Sequence, residues 1–494
     1  LWAVRQRRPD AKIMGNFVLQ RVKPLTEALI SVDPFDTNSV TNENLGGIRQ
    51  TLRHIQNGGA LVVFPAGEVS ATLVQGLGPV DRLWDDSVVK IIQRTKAEVI
   101  PAYIGGRNSS LFYAAGKIHP RLRTVLLPSE LLRKRDSSIT ISFAKPVSRR
   151  IIESLPDPAA LGRFLRSTVY LQSPSFTGNG SVSEPDAVGF PVVAEGVCAE
   201  SIAREIAGLD RCRLLSQGDF DVYLMQRDSA PNILHEIGRL REITFRQVGE
   251  GTGTALDIDL YDRHYEHLVL WHRPSQSIAG SYRLGHGGRI IAEHGINGLY
   301  SSTLFSFDET AQSMMNACLE LGRSFVRQEF QRQRLPLHLL WRGILTYVLR
   351  HPELNAIVGC VSVSDRYREV SKELIRSFFM RRAQESPFAH HVQPRSPFKA
   401  NLPGIDVNDL LRPVNDDLRL LDKLIAHIEP DGSCCPVLLK KYAQQNAQIV
   451  AFNVDPNFTN VLDGFMVLSM QSISDELRGY AAEQSVSASA GTVA

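Results

Sequence analysis

Arg241-Glu242-Ile243-Thr244-Phe245, then Asp257-Ile258-Asp259-Leu260-Tyr261-Asp262, then Gly280-Ser281-Tyr282-Arg283, and finally Glu320-Leu321-Gly322-Arg323 form the most chemically marked stretch of this sequence. Arg241 and Phe245 are spaced i, i+4 and so share one face of a helix. The second segment packs three acids into six residues. An amine attacking an acyl thioester needs a carboxylate to hold and help deprotonate the ammonium. It also needs a partner for the acceptor's own carboxylate, and donors for the tetrahedral oxyanion. Acids grouped on a loop and arginines at strand ends supply the first two. Each piece has an ordinary reading as well: Asp257, Asp259 and Asp262 as a solvated turn, Arg283 with Asp259 as a structural ion pair, Glu320 with Arg323 as a surface pair. A calcium loop is excluded, since no glycine and distal Glu follow at the required spacing.

Around this stretch the periodicity predicts strands at Phe220–Met225, His267–Trp271 and Ser277–Leu284, and helices at Asn232–Phe245 and Leu337–Arg350. The first part of the chain alternates in the same way. Strands are predicted at Ala60–Phe64, Glu98–Ile104 and Ser138–Phe143, and helices at Asn44–Gln56 and Ser87–Lys96, which argues an α/β layer. Ser173-Pro174-Ser175-Phe176-Thr177-Gly178-Asn179-Gly180-Ser181 is rich in turn formers and poor in apolar residues. The organisation expected is therefore α/β with two domains, at 1–170 and 201–477, a linker at 171–200 and a frayed tail at 478–494.

With 494 residues, the chain is long enough for several cores, and 43% hydrophobic and 22% charged residues exclude wholesale disorder. No window approaches 18 uncharged apolar residues. A net charge of +3 is too small to argue for nucleic acid as a partner. The six cysteines include no C-x-x-C, which fits a reducing compartment, and the vicinal pair Cys434-Cys435 reads as structural. The opening Leu1-Trp2-Ala3-Val4-Arg5 reads as the end of a helix already under way, so a missing N-terminus is expected.

In the first domain the informative segment is Val63-Phe64-Pro65-Ala66-Gly67-Glu68-Val69-Ser70, a strand entering a Pro/Gly turn. Backbone N–H groups at such a turn can hold an anion, and Ser70 can add a hydrogen bond. With Val99-Ile100-Pro101-Ala102-Tyr103 downstream, and Ala11-Lys12-Ile13-Met14-Gly15-Asn16 and Ile30-Ser31-Val32-Asp33-Pro34-Phe35 upstream, it resembles the glycerophospholipid (lysophosphatidic acid) acyltransferases. Within them it looks like the hemolysin-like branch, as do Asn108-Ser109-Ser110-Leu111-Phe112-Tyr113 and Leu122-Arg123-Thr124. The resemblance implies that Phe64, Pro65, Gly67, Glu68 and Ser70 bind substrate. It departs in two places. The family's acid would fall at Ala66, whereas the carboxylate here is Glu68. None of the 13 histidines has Asp five residues on, so the family's His-x4-Asp base is missing from the sequence.

In the second domain the order Arg-x3-Phe, Asp-x-Asp-x2-Asp, Gly-x2-Arg and Glu-x2-Arg resembles the acyl-homoserine-lactone synthases. It resembles more closely the ornithine-acyl-carrier-protein N-acyltransferases of ornithine-lipid synthesis. Supporting stretches are His264-Tyr265-Glu266-His267-Leu268, Trp341-Arg342-Gly343-Ile344 and Phe452-Asn453-Val454-Asp455-Pro456. The resemblance implies a GNAT-type fold with a mixed central sheet flanked by helices. It implies that Glu320 is the general base or amine-orienting carboxylate, that Asp259 and Asp262 organise the acceptor with Arg283, and that Arg323 supports the acyl carbonyl or carrier. Arg241, beside Phe245, would brace the loop over the acceptor.

Arg246-Gln247-Val248-Gly249-Glu250-Gly251 imitates the pyrophosphate loop of acetyl-CoA-using relatives but precedes Glu320 instead of following it. The basic run from Gln328 to Arg334 suits an acidic acyl carrier protein. His264, His267 and His272 lack metalloprotease spacing and read as structural, so no metal is expected. Taken together the two halves resemble two-domain ornithine-lipid synthases. The expected reaction is transfer of a 3-hydroxyacyl group from acyl carrier protein, without a cofactor, to the α-amine of ornithine. The first domain, when complete, would then O-acylate the product, but without its His-x4-Asp base it is expected to be idle. Another amine acceptor, such as glycine, lysine or a homoserine derivative, and a non-catalytic lipid- or carrier-binding scaffold are the alternatives. A cytoplasmic protein, peripheral on the inner face of a bacterial membrane, is expected, with Arg5-Gln6-Arg7-Arg8 as one surface contact.

Overall fold

The computed structural model describes residues 1–16, 19, 23–32, 42–70, 72–74, 78–177, 190–226, 229–403, 405–456 and 458–472. Asp33-Pro34-Phe35, most of the expected linker's Gly- and Ser-rich centre and the expected tail lie outside them. The chain forms two compact units. The first comprises Leu1–Ser181, Glu369–Leu374 and Asn401–Cys434; the second comprises Val182–Arg368, Ile375–Ala400 and Cys435–Ala494.

In the first unit, β1 (Lys12–Asn16) lies between β2 (Leu29–Val32) and β3 (Leu61–Val62), parallel to both. Helix Asn42–Gln56 connects β2 to β3 in sequence, as a parallel crossover requires. The strand expected at Ala60–Phe64 pairs only over Leu61–Val62, because Phe64 is exposed and Pro65 starts a turn. Two antiparallel pairs follow, β4 (Thr72–Val74) with β5 (Gly78–Val80) and β6 (Ala102–Ile104) with β7 (Ile141–Phe143). Helix Pro158–Tyr170, capped by Asp157, buries Leu161, Phe164 and Leu165. The returning segment Asn401–Cys434 contributes helix Leu418–Ile428, with Leu420, Leu421, Leu424 and Ile425 buried. It is tied in by Arg163–Asp409 at 3.0 Å and by Lys145 Nζ donating to Ala426 O at 3.1 Å.

The second unit is built on an eight-stranded sheet. Its strands are β8 (Arg213–Gln217), β9 (Phe220–Gln226), β10 (Glu266–His272) and β11 (Ser277–His286), with β13 (Cys318–Val326), β14 (Ala356–Val363), β16 (Gln448–Asp455) and β17 (Val461–Ser469). The short pair β12 (Phe305–Phe307) and β15 (Val392–Pro394) stands apart. The order is β16-β17-β14-β13-β11-β10-β9-β8, antiparallel throughout except for the parallel pair β13/β14. Helices Ala199–Gly208 and Pro231–Gln247 pack on the face carrying Tyr223, Met225, Val269 and Trp271. Helix Leu335–Leu349 also packs against β8 to β11. Cover on both faces explains why Leu268-Val269-Leu270 is apolar at successive positions instead of alternating.

Two local features shape the middle of this sheet. The β13/β14 pairing ends at Leu321↔Gly359, yet β13 continues to Val326 and β14 to Val363, so the strands part there. A Cβ on Gly359 would stand 2.5 Å from Leu321 O, so only glycine fits the last paired position. Immediately after the parting, Arg323 adopts φ 48° where the β11/β13 register shifts. Two residues there, Arg323 and Ser324, oppose Tyr282 alone, which is a β-bulge with its left-handed residue supplied by arginine. A left-handed conformation is costly for a residue with a Cβ, and such strain concentrates at working sites.

Candidate active site

Glu320 lies on β13 opposite Gly285 of β11. A Cβ at Gly285 would come within 2.4 Å of the Tyr265 ring, so glycine is what lets that ring cross the strand. The Tyr265 hydroxyl then donates to Glu320 Oε2. The same oxygen accepts the Tyr300 N–H at 3.1 Å, and Oε1 accepts the Ser301 N–H at 2.7 Å. Glu320 is 2% exposed and anchors the turn Tyr300–Thr303 beside the strand. Burial first, and then the Glu320 charge, raises the Tyr265 hydroxyl well above its usual value, so it stays a donor.

The arginines and aspartates interlock. Asp259 caps the short helix Leu260–Arg263 in a reciprocal capping box with Asp262, which turns both carboxylates inward. Arg241 Nη1 donates to Asp262 Oδ1 at 3.0 Å, and Arg283 Nη1 donates to Asp259 Oδ1 at 2.6 Å and stands 3.5 Å from Asp262 Oδ1. Arg323 Nη2 donates to Asp259 Oδ2 at 3.4 Å, and its Nε lies 3.3 Å from Asp257 Oδ2. Three arginines thus meet three aspartates. Arg241, Arg283 and Asp262 are fully buried and Asp257 is nearly so, which rules out the solvated-turn reading of the acids. Burial opposes the Asp262 charge, but Arg241 and then Arg283 outweigh it and hold the carboxyl below its ordinary value. Burial opposes the Arg283 charge too, and Asp259 and Asp262 hold it above.

Aromatic rings replace solvent around the guanidinium groups. Arg283 lies 5.0 Å from the Tyr265 ring centroid, 5.3 Å from Tyr300 and 5.7 Å from Tyr261. Arg323 lies 5.0 Å from Tyr300 and 4.6 Å from Phe458, in the turn between β16 and β17. Tyr300 therefore joins the Glu320 anchor to the arginine network.

Glu320, Arg323, Asp259, Arg241, Asp262 and Arg283, the candidates in the sequence of this unit, meet here. Phe245 does not; it packs, partly buried, with the apolar cluster around Ile233, Ile237 and Trp271. Tyr265 and Tyr300 were missed as site residues. The signal for Tyr265 was Gly285 in the strand Ser277–His286, directly opposite the acid Glu320. Arg246 pairs with Glu242 at 2.6 Å and donates to Pro191 O and Thr254 O, so it is spent on its own turn. His264 bonds Gly298 O, His272 bonds Ser275 Oγ, and His267 lies against Arg241 at 3.3 Å. Burial, and then Arg241, push His267 down to about 3. Among the described residues no group of three or more His, Cys, Asp or Glu is placed to hold a metal ion.

In the first unit the turn residues are occupied locally. The Gly67 N–H donates to Phe64 O at 3.0 Å, closing a turn with Pro65 at its second position. Glu68 pairs with Arg123 at 3.1 Å and Arg82 at 3.3 Å, and the Ser70 hydroxyl donates to Asp81. Phe64 is half exposed.

Residues 240–342 match the acetyltransferase (GNAT) domain family. The chain is 32% identical over 193 residues to a glycine N(alpha)-acyltransferase of Phocaeicola vulgatus, covering 37% of this chain and 59% of that protein. It is 28% identical over 116 residues to a lyso-glycine lipid O-acyltransferase of the same organism, covering 22% of this chain and 41% of that one. The chain thus spans little more than half of the first relative's length and less than half of the second's. A solved CoA-dependent acyl-homoserine lactone synthase aligns at 10% identity and TM-score 0.28, over 53% of this chain and 89% of its own, too distant to bear on the fold. Among the described residues no helix is long and apolar enough to cross a membrane. Every member of the arginine–aspartate–glutamate site falls inside residues 240–342, the stretch that is similar to the acetyltransferase (GNAT) domain family.

Proposed function

We propose that the second unit transfers a 3-hydroxyacyl group from acyl carrier protein to the α-amine of an amino acid, with ornithine as acceptor. The observation that carries this is the coincidence of the GNAT match with the interlocked site around Glu320. A carboxylate offers about four acceptor positions. Three on Glu320 are taken by Tyr265, Tyr300 and Ser301, which leaves one for an ammonium. The α-nitrogen attacks the thioester carbonyl carbon, the C–N bond forms and the C–S bond breaks. Of the two protons the ammonium loses, one passes to Glu320 and on to solvent, the other to the departing thiolate. Arg323, left-handed at the parting of β13 and β14, supports the carbonyl or carrier side.

The first unit, once supplied with a His-x4-Asp base, would O-acylate the product's 3-hydroxyl; without it only the N-acylation step is expected. The likeness to both a glycine N(alpha)-acyltransferase and a lyso-glycine lipid O-acyltransferase supports two steps in one chain, although the sequence holds no His-x4-Asp to act as base. Glycine is the second reading for the acceptor, favoured by the likeness to glycine N(alpha)-acyltransferases. Peripheral contact with a membrane surface suits either lipid product. Mass spectrometry of lipids from a bacterial host making this chain tests the proposal. A new mono-acyl amino-lipid without its diacyl form is expected; folded protein with no new amino-lipid would overturn it.

A further inference from the structure

Beyond the β13/β14 parting, a second group of acids lies on β14, β16 and β17. Ser362 stands opposite Asp463, and Asp463 opposite Asn453, so these three share one face of the sheet. Asp455, two residues beyond Asn453, lies on that face too. Glu250 comes from the turn after helix Pro231–Gln247, and its Oε2 accepts the Ser362 hydroxyl at 2.8 Å. Thr459 Oγ1 donates to Gly249 O at 2.8 Å and fixes that turn over the β16–β17 connection.

Asp463 is the odd member. It is 7% exposed, and its carboxylate accepts no hydrogen bond among the described residues. Burial raises its carboxyl well above the ordinary range, Asp455 and Glu250 raise it further, and Arg323 offsets only part. Arg323 is already shared by Asp257 and Asp259. Buried polar groups are almost always paired, and a carboxylate buried among other acids keeps its charge only with a cation against it. The absence of a chelating group of three among the described residues argues against a metal. An alkylammonium fits better, because its three donors take separate acceptors. Tyr300, whose N–H binds Glu320, and Phe458 both flank Arg323, and their rings offer an apolar surface for a short methylene stem.

We propose that Asp463, with Glu250 and Asp455, receives the side-chain ammonium of the acceptor and so selects a diamino acid over glycine. This rests on the N-acyltransferase reading. The test is calorimetric titration of the full chain with ornithine, its neutral isostere 2-aminopentanoate and glycine. The same three acceptors are then offered with a 3-hydroxyacyl-acyl-carrier-protein donor. Ornithine is expected to be preferred over 2-aminopentanoate by about 100-fold, and Asp463→Asn to bring that ratio close to one. Glu250→Gln, which leaves Asp463 in place, is expected to cut the ratio about tenfold. Equal use of ornithine and the neutral acceptors by the unmodified chain would overturn the assignment while leaving N-acylation intact. Full ornithine preference in Asp463→Asn would also overturn it. Failure to acylate any of the three would instead sink the parent reading.

Discussion

The two sides of the β13/β14 parting treat their acids in opposite ways. On the β10–β13 side, Asp257, Asp259, Asp262 and Glu320 are matched by arginines, backbone N–H groups and a tyrosine hydroxyl. On the β14–β17 side, Asp463 is also buried but has two acids for neighbours and one already committed arginine. The first arrangement holds geometry; the second stores electrostatic cost that a cation can relieve. A site needs both, since a matched network orients and an unmatched group selects.

Breaking the matched side should have the largest effect. Arg283→Met leaves Asp259 and Asp262 facing a buried hydrocarbon and is expected to destabilise the second unit by about 3–5 kcal/mol in chemical denaturation. A loss below about 1 kcal/mol would mean the network is not held as the geometry implies. Glu320→Gln keeps shape but weakens the acceptor, and N-acylation should fall at least about 100-fold with the fold intact by circular dichroism. Retained activity would reduce Glu320 to an anchor for the Tyr300 turn.

The unmatched side predicts a change of opposite sign. Asp463 has a raised carboxyl, so its contribution to stability is fully present below the unfolded value near 3.8 and is lost as pH rises through the folded value. Asp455, Glu250 and Arg323 face it, and only Arg323 favours its charge. Asp463→Asn should therefore raise the melting temperature at neutral pH, by the equivalent of about 1–2 kcal/mol, with the gain vanishing in acid. A uniform loss at every pH would show that Asp463 is structurally paired. The smallest effect is expected at Glu68, whose side chain is 26% exposed between Arg123 and Arg82. Glu68→Gln should change first-unit stability by less than about 1 kcal/mol, read by thermal melting.

Local chemistry made part of this legible in the sequence. Helix Pro231–Gln247 and strands β9 to β11 fall where their apolar periodicity places them, and the arginines and acids were visible by type and order. Strands β13, β16 and β17 were not read, because Glu320, Arg323, Asn453, Asp455 and Asp463 interrupt the apolar pattern that marks a strand. Strand β14 is a short run with few polar residues, and periodicity alone does not distinguish such a strand from a buried helix. Their partners are set by long-range register, which spacing along the chain does not encode. Glu250 was hidden for the same reason inside a glycine-bearing turn that imitates a phosphate loop. Phe245 shows the converse: helical spacing put it with Arg241, but its apolar ring followed the core instead of the charge.

The most direct test uses purified chain, 3-hydroxyacyl-acyl-carrier-protein and ornithine carrying ¹⁵N only at the α-position, with the product read by tandem mass spectrometry. The account predicts one acyl amide at the labelled nitrogen, with the side-chain amine free. An amide at the unlabelled nitrogen, an ester, or unreacted ornithine beside folded protein would contradict it.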